Sequence, residues 1–203
     1  MLTPAPRILN YVTYPYVYKD DFFTKDELDH IKDFCNSHGT EKAEVVSKFG
    51  KAINVESLRN SDIKMHGFNN ENSWIFDKLF SVADTINKQY YGYDLTGFEY
   101  FQYTEYNNPG SEYGYHTDMI MGEHIPLGME LPRKLSFSLI LSDPLEYEGG
   151  EFEFLINGID RIIIPQIHGR VLAFPSYIIH RIAPLISGSR KSLVFWAVGP
   201  KFK

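Results

Sequence analysis

The feature of this 203-residue chain that most restricts its fold is a change of hydrophobic rhythm near Gly97. Before it, apolar residues recur at three- and four-residue intervals. After it they fall into short runs rich in β-branched and aromatic residues, at 98–106, 134–142, 151–156, 159–165, 169–174 and 190–198. Turn signals divide the runs: Asn107-Asn-Pro-Gly110, Gly149-Gly150, Asn157-Gly158 and Ser187-Gly188. Phe, Tyr and Trp make up 15% of the chain, and such side chains suit half-buried pleated surfaces. The second half is therefore expected to be an all-β sandwich or barrel, with helices from the first half packed on it.

Two helices are expected in the first half. Thr24-Lys-Asp-Glu27 reads as a capping box, and Leu28, Ile31 and Phe34 or Cys35 follow at helical spacing, which predicts a helix over 25–37. Trp74, Phe76, Leu79, Phe80, Ala83, Ile86 and Tyr90 share one face and predict a second helix that stops before Gly92. No repeat, low-complexity tract or linker interrupts the chain. One domain over 1–203 is expected, with 1–97 supporting a core at 98–203.

Composition narrows the function classes. A hydrophobic share of 43% is that of a globular protein, and a net charge of −6 disfavours nonspecific binding to nucleic acid or anionic membranes. The single cysteine, Cys35, excludes an internal disulfide and a CxxC site, and its predicted helix is expected to bury it. No apolar run is long enough to suggest a membrane helix, and the start lacks the charged-then-apolar order of a secretory signal. A cytoplasmic protein is expected.

The chemistry centres on His116-Thr117-Asp118. On a strand, positions i and i+2 share a face, so an imidazole and a carboxylate could reach one ion. The triplet alone is common and fits solvated loop residues equally well. His180, after the apolar run ending at Phe174 and the turn Pro175-Ser176, can complete a set of two histidines and one carboxylate. Such a set leaves open positions opposite, as non-haem Fe(II) oxygenases require, although a zinc hydrolase could use similar ligands. Arg190 follows ten residues on, with Ser192 at i+2 on the same strand face. A guanidinium fork and a hydroxyl suit a buried carboxylate, which a hydrolase does not require.

Taken together these residues resemble the Fe(II)- and 2-oxoglutarate-dependent oxygenases of the prolyl hydroxylase type, most closely the bacterial and phage proteins with a prolyl 4-hydroxylase-like domain. The resemblance runs from about Leu58 to Pro200. It is carried by Tyr106, Gly110 and Tyr113 leading into His116-Thr-Asp118, by Leu135-Ser-Phe-Ser-Leu-Ile-Leu-Ser142 with Pro144, and by Tyr147-Glu-Gly-Gly-Glu151. It continues with Gly169, Phe174-Pro-Ser176, His180, Pro184, Gly188, Arg190 and Trp196.

The resemblance implies a double-stranded β-helix, a cupin-like jelly-roll barrel with N-terminal helices packed on one sheet. It implies that His116, Asp118 and His180 bind Fe(II) and that Arg190 holds the far carboxylate of 2-oxoglutarate. Tyr106 would hydrogen-bond that co-substrate, or be a half-buried strand tyrosine. Ser192 serves binding or packing, and Trp196 packs beside the iron or simply within the core. Dioxygen is the second co-substrate, and the family admits ascorbate as an accessory. Two departures mark this chain: collagen-modifying relatives place lysine where Arg190 stands, and some prolyl hydroxylases carry a co-substrate tyrosine near Ile140.

No Ser/His/Asp or Cys/His arrangement competes: Ser136 and Ser138 lack the glycines of a nucleophile elbow. His30, His38, His66, His124 and His168 have no ligand-like partners in sequence, although His124 falls in the loop 119–133 that borders Asp118. In relatives the stretch corresponding to 48–61 is a mobile lid, and Arg59-Asn-Ser61 resembles its motif. Read without the family, 48–61 is a surface loop or a strand with a turn. The loop 119–133 is a second candidate wall. The expected reaction is hydroxylation of a prolyl residue in a peptide or protein. A free amino acid, another small molecule, a non-catalytic metal-binding module and a zinc hydrolase are the alternatives, and oligomeric state is not legible.

Overall fold

The computed structural model describes residues 14–43, 45–46, 52–53, 58–119 and 131–201. In chain order the elements are β1 (Val17–Lys19), α1 (Lys25–Ser37), β2 (Glu41–Lys42), β3 (Val45–Val46), β4 (Ala52–Ile53), β5 (Asp62–His66) and α2 (Ser73–Ile86). They continue with β6 (Gly97–Tyr106), β7 (Tyr113–His116), β8 (Arg133–Ile140), β9 (Tyr147–Gly149), β10 (Phe152–Ile156) and β11 (Asp160–Ile164). The last four are β12 (Val171–Pro175), β13 (Ile179–Ile182), β14 (Leu185–Gly188) and β15 (Arg190–Val198).

A seven-stranded sheet has the order β1-β12-β8-β15-β6-β5-β2, and a four-stranded sheet the order β11-β10-β13-β7. All pairings are antiparallel, and β9 pairs with β14 at one end. The two sheets form the expected double-stranded β-helix, with both helices on the outer face of the larger sheet.

Alternation explains the layering. On β8 and β15, Leu135, Phe137, Leu139, Leu193, Phe195 and Ala197 point to the helices and join one core with Leu28, Ile31 and Cys35 of α1 and Ile75, Leu79, Val82 and Ile86 of α2. Phe137 and Phe195 stack at 4.6 Å. Each such fully buried side chain contributes about 1.5–3 kcal/mol relative to exposure. A second cluster between the sheets, including Phe152, Phe154, Leu172, Phe174, Ile182 and Leu185, closes the barrel interior.

The first helix has its predicted bounds, and its capping box is complete: Glu27 N–H donates to Thr24 Oγ1 at 3.3 Å and Thr24 N–H to Glu27 Oε2 at 2.9 Å. The second helix ends on schedule, through a π turn at 87–91 closed by Gly92 with φ 62°. Its buried face differs from the expected one. Ile75 and Val82 point fully inward, whereas Phe80 is 56% exposed and Trp74 and Phe76 are only partly covered. Leu79, Ala83 and Ile86 of the expected face are buried as predicted, and the aromatics pulled the rest of that face roughly an eighth of a turn away from the aliphatic stripe.

All six predicted strands are present, within three residues at each end. The short strands β1, β5, β9, β13 and β14 carry no run long enough to announce themselves. The N-terminal edge is tied down by Arg170, whose guanidinium donates twice to Asp20 at 2.7 Å and stacks on Tyr18.

Candidate metal centre

β7 and β13 pair so that His116 and His180 are cross-strand partners, with ring centroids 4.2 Å apart. Asp118 is not on the strand. It lies two residues beyond β7, where its N–H and that of Met119 both donate to the Ser176 carbonyl, at 3.0 and 2.9 Å. The expected same-face argument thus holds for His116 only, and a turn brings in the carboxylate. Ser176 is itself fixed, its hydroxyl 2.9 Å from that of Ser136 on β8. His180 sits inside its own strand, β13. Asp118 Oδ1 is 3.6 Å from His116 Nε2, and Oδ2 is 3.6 Å from His180 Nε2. Among the described residues this is the one group of three such donors, all within 4.8 Å of one another.

The hydrogen bonds behind the rings decide the tautomers. His116 Nδ1 lies 2.8 Å from the Gly114 carbonyl and His180 Nδ1 3.0 Å from that of Ile178. A ring nitrogen facing a carbonyl must donate, so each Nε2 presents its lone pair to the centre of the cluster. Burial pushes the His180 imidazole down to about 4, with His116 adding to the effect and Asp118 opposing it. Burial alone would raise Asp118, but His180, His116 and Arg133 outweigh it and hold the carboxyl well below its usual range. Two imidazole nitrogens and a carboxylate with a buried, unpartnered Oδ2 make a donor set suited to a divalent cation. Aromatic rings wall it in: Tyr113 stacks on His116 at 3.6 Å, and Phe174 meets His180 at 4.6 Å.

Arg190 is fully buried opposite Tyr106 on the neighbouring strand β6. Its Nη1 donates to Ser192 Oγ at 3.2 Å, and its guanidinium lies 5.6 Å from the Tyr106 ring centre. Nε and Nη2 meet no acceptor, and among the described residues no carboxylate pairs with it. A buried cation without a counter-charge is costly by several kcal/mol, so this pocket fits an anion. Trp196 lies on the same face of β15, opposite Ser136. Arg133 stacks over its ring at 3.8 Å while donating to Glu99 at 3.0 and 2.8 Å.

Three neighbours of the site carried no assigned role in the sequence. Tyr113 stacks on a ligand, Arg133 acts on Asp118, and Arg59 lies 4.3 Å over the Tyr113 ring and donates from Nε to Ser61 Oγ at 3.1 Å. Arg59 and Ser61 are buried, so this end of the expected surface loop 48–61 is part of the site wall. Most of the rest of 48–61, residues 120–130 of the second loop, and His124 lie outside the described residues. His30 stacks on Trp74, and His38 and His66 meet each other edge-on, away from the ligands.

Residues 101–198 match the model of the 2OG-Fe(II) oxygenase superfamily, a span that holds His116, Asp118, His180 and Arg190. Over that span the chain is similar to the 2OG-Fe(II) oxygenase superfamily. The chain is 40% identical over 88 residues to a PKHD-type hydroxylase of Synechococcus sp. (strain CC9902), covering 43% of this chain and 36% of that one. It is 36% identical over 91 residues to a PKHD-type hydroxylase of Prochlorococcus marinus, covering 44% and 38%. The chain thus matches well under half the length of these relatives. The fold of the chain is similar to that of a Pseudomonas putida prolyl-4-hydroxylase, with a TM-score of 0.70 at 18% identity over 93% of this chain and 95% of that one. No helix among its described residues is long and apolar enough to cross a membrane.

Proposed function

We propose that this chain is an Fe(II)- and 2-oxoglutarate-dependent dioxygenase that hydroxylates an unactivated C–H bond, with a prolyl residue of a peptide or protein as substrate and succinate and carbon dioxide as co-products. The observation that carries the reading is the pairing of a His-Asp-His cluster with a buried arginine that has no counter-charge among the described residues. His116 and His180 through Nε2, and Asp118 through its carboxylate, would hold the iron. Arg190, with Ser192 and Tyr106 beside it, would hold the far carboxylate of the keto acid, and Trp196 packs near the iron. Bound iron with 2-oxoglutarate and dioxygen supplies the oxidising power, and ascorbate serves as an accessory reductant.

The chain's own residues bind, orient and exclude water. The Gly114 and Ile178 carbonyls lock the imidazoles in the ligating tautomer. Tyr113, Phe152 and Phe174 cover the rings, and Arg190 fixes the orientation of the keto acid. No side-chain nucleophile is required. Ser136 is engaged with Ser176, and burial pushes the Cys35 thiol up to about 12. The whole chain acts as one domain in the cytoplasm, residues 1–97 supporting the core.

Support for a peptide comes from similarly folded proteins, one of them a Trichoplax adhaerens prolyl hydroxylase in complex with a hypoxia inducible factor peptide fragment. The test is succinate release with a panel of proline-containing peptides, read together with peptide mass. A one-oxygen gain on proline is expected. Turnover with free amino acids but none with peptides would sink the peptide assignment, and no 2-oxoglutarate turnover with any candidate would favour a metal-binding module.

A further inference from the structure

The anion pocket holds more unused donors than Arg190 alone supplies. The Tyr147 hydroxyl is buried and meets the Arg190 guanidinium at the edge of hydrogen-bonding range; among the described residues neither it nor Arg190 Nε and Nη2 has any other partner. Burial raises its pKa, and the positive charge of Arg190 is the leading influence against that rise, so the two groups are neighbours. The backbone around Tyr147 is built for this closeness. Gly188 pairs with Tyr147, and a Cβ there would stand 2.7 Å from Tyr147 Cα; a Cβ on Gly150 would stand 2.9 Å from Arg190 Cδ. Both glycines have positive φ, so β9 wraps the arginine stem in a way that a residue with a side chain would prevent.

Across the sheet, the partner of Ser192 is Ile140, which brings no hydroxyl. A tyrosine with a structural role would spend its hydroxyl on a nearby carbonyl, as Tyr91 does on Ala173 at 3.2 Å. Tyr147 instead leaves its O–H beside two idle guanidinium N–H groups. Three donors without an acceptor match a carboxylate, which has two oxygens and only acceptor sites.

We infer that Tyr147 donates its hydroxyl, alongside Arg190, to the distal carboxylate of 2-oxoglutarate, supplying from β9 the hydrogen bond that Ile140 cannot. The inference rests on the proposed function, and the experiment separates the two. The full-length protein loaded with Mn(II) is titrated calorimetrically with 2-oxoglutarate and with 2-oxovalerate, which has the same carbon chain without the distal carboxylate. Wild type is compared with Tyr147→Phe, which removes one oxygen.

The expected result is a roughly tenfold to hundredfold weaker 2-oxoglutarate affinity in Tyr147→Phe, with unchanged 2-oxovalerate and Mn(II) affinities. The metal-free variant should unfold close to the wild-type temperature, since among the described residues the lost hydroxyl meets only the Arg190 guanidinium. Equal 2-oxoglutarate affinity in both proteins would overturn the inference, and so would equal weakening toward both acids, the mark of a packing role. If wild type bound neither acid, the proposed function itself would fall and the inference with it.

Discussion

Along β15, Leu193, Phe195 and Ala197 point to the helices, while Arg190, Ser192 and Trp196 point into the barrel. The first set is apolar, close-packed and free of polar atoms to satisfy. The second keeps three unpartnered N–H groups, on Arg190 Nε and Nη2 and Trp196 Nε1, among small polar neighbours such as Ser136, Ser138 and Thr104. A period of two therefore lets one strand stabilise the fold on one face and hold costly groups ready for a ligand on the other.

The largest expected effects test the inner face through its metal ligands. Asp118→Ala or His180→Ala should cut 2-oxoglutarate turnover on the order of a thousandfold or more while leaving the folded circular-dichroism spectrum intact. Succinate production at the wild-type rate would refute the ligand assignment. On the opposite face, Phe195→Ala should cost about 3–5 kcal/mol in urea unfolding, with activity per folded molecule kept within a few-fold. Lost activity at unchanged stability would show that the faces do not divide the labour.

Arg190→Leu sharpens the contrast, because it removes a buried cation that the protein alone leaves unpaired. The metal-free variant should gain about 1 kcal/mol or more, while 2-oxoglutarate affinity falls roughly a hundredfold and Fe(II) affinity survives. A destabilised variant would mean that Arg190 is part of the scaffold.

The smallest effect concerns a polar intruder on the helix side. His66 stacks on Phe101 with an unpartnered Nε2, and burial first, then the charges of His38 and Lys64, push it down to about 4. In the unfolded chain it titrates near ~6.5, so between about 6.5 and 4 the unfolded state binds more protons and stability falls as pH drops. His66→Phe should flatten that slope in urea midpoints measured across the window, and an unchanged slope would assign it to other groups.

How far the sequence revealed this division depends on the length of the pattern. Runs such as Leu135–Leu141 and the capping box at Thr24 announce their structures because many residues agree. That His116, Asp118 and His180 come together was legible through their order along the chain. The buried face of α2 was legible only in part: Leu79, Ala83 and Ile86 are buried as expected, but the large aromatics Trp74 and Phe80 sit at its rim and Ile75 and Val82 take the inner positions. The placement of Asp118 was not legible, since it depends on a carbonyl at Ser176 far along the chain. Arg59, Arg133 and Tyr147 join the site through contacts between distant segments, and no local spacing records such contacts.

The central claim is that the His-Asp-His cluster and Arg190 together hold ferrous iron and 2-oxoglutarate. Its most direct test is an anaerobic titration of the metal-free protein with Fe(II) and then 2-oxoglutarate, followed by visible absorption. The account predicts a weak charge-transfer band that appears only when both are present and that needs higher 2-oxoglutarate in Arg190→Ala. Iron binding without any band at saturating 2-oxoglutarate would contradict it.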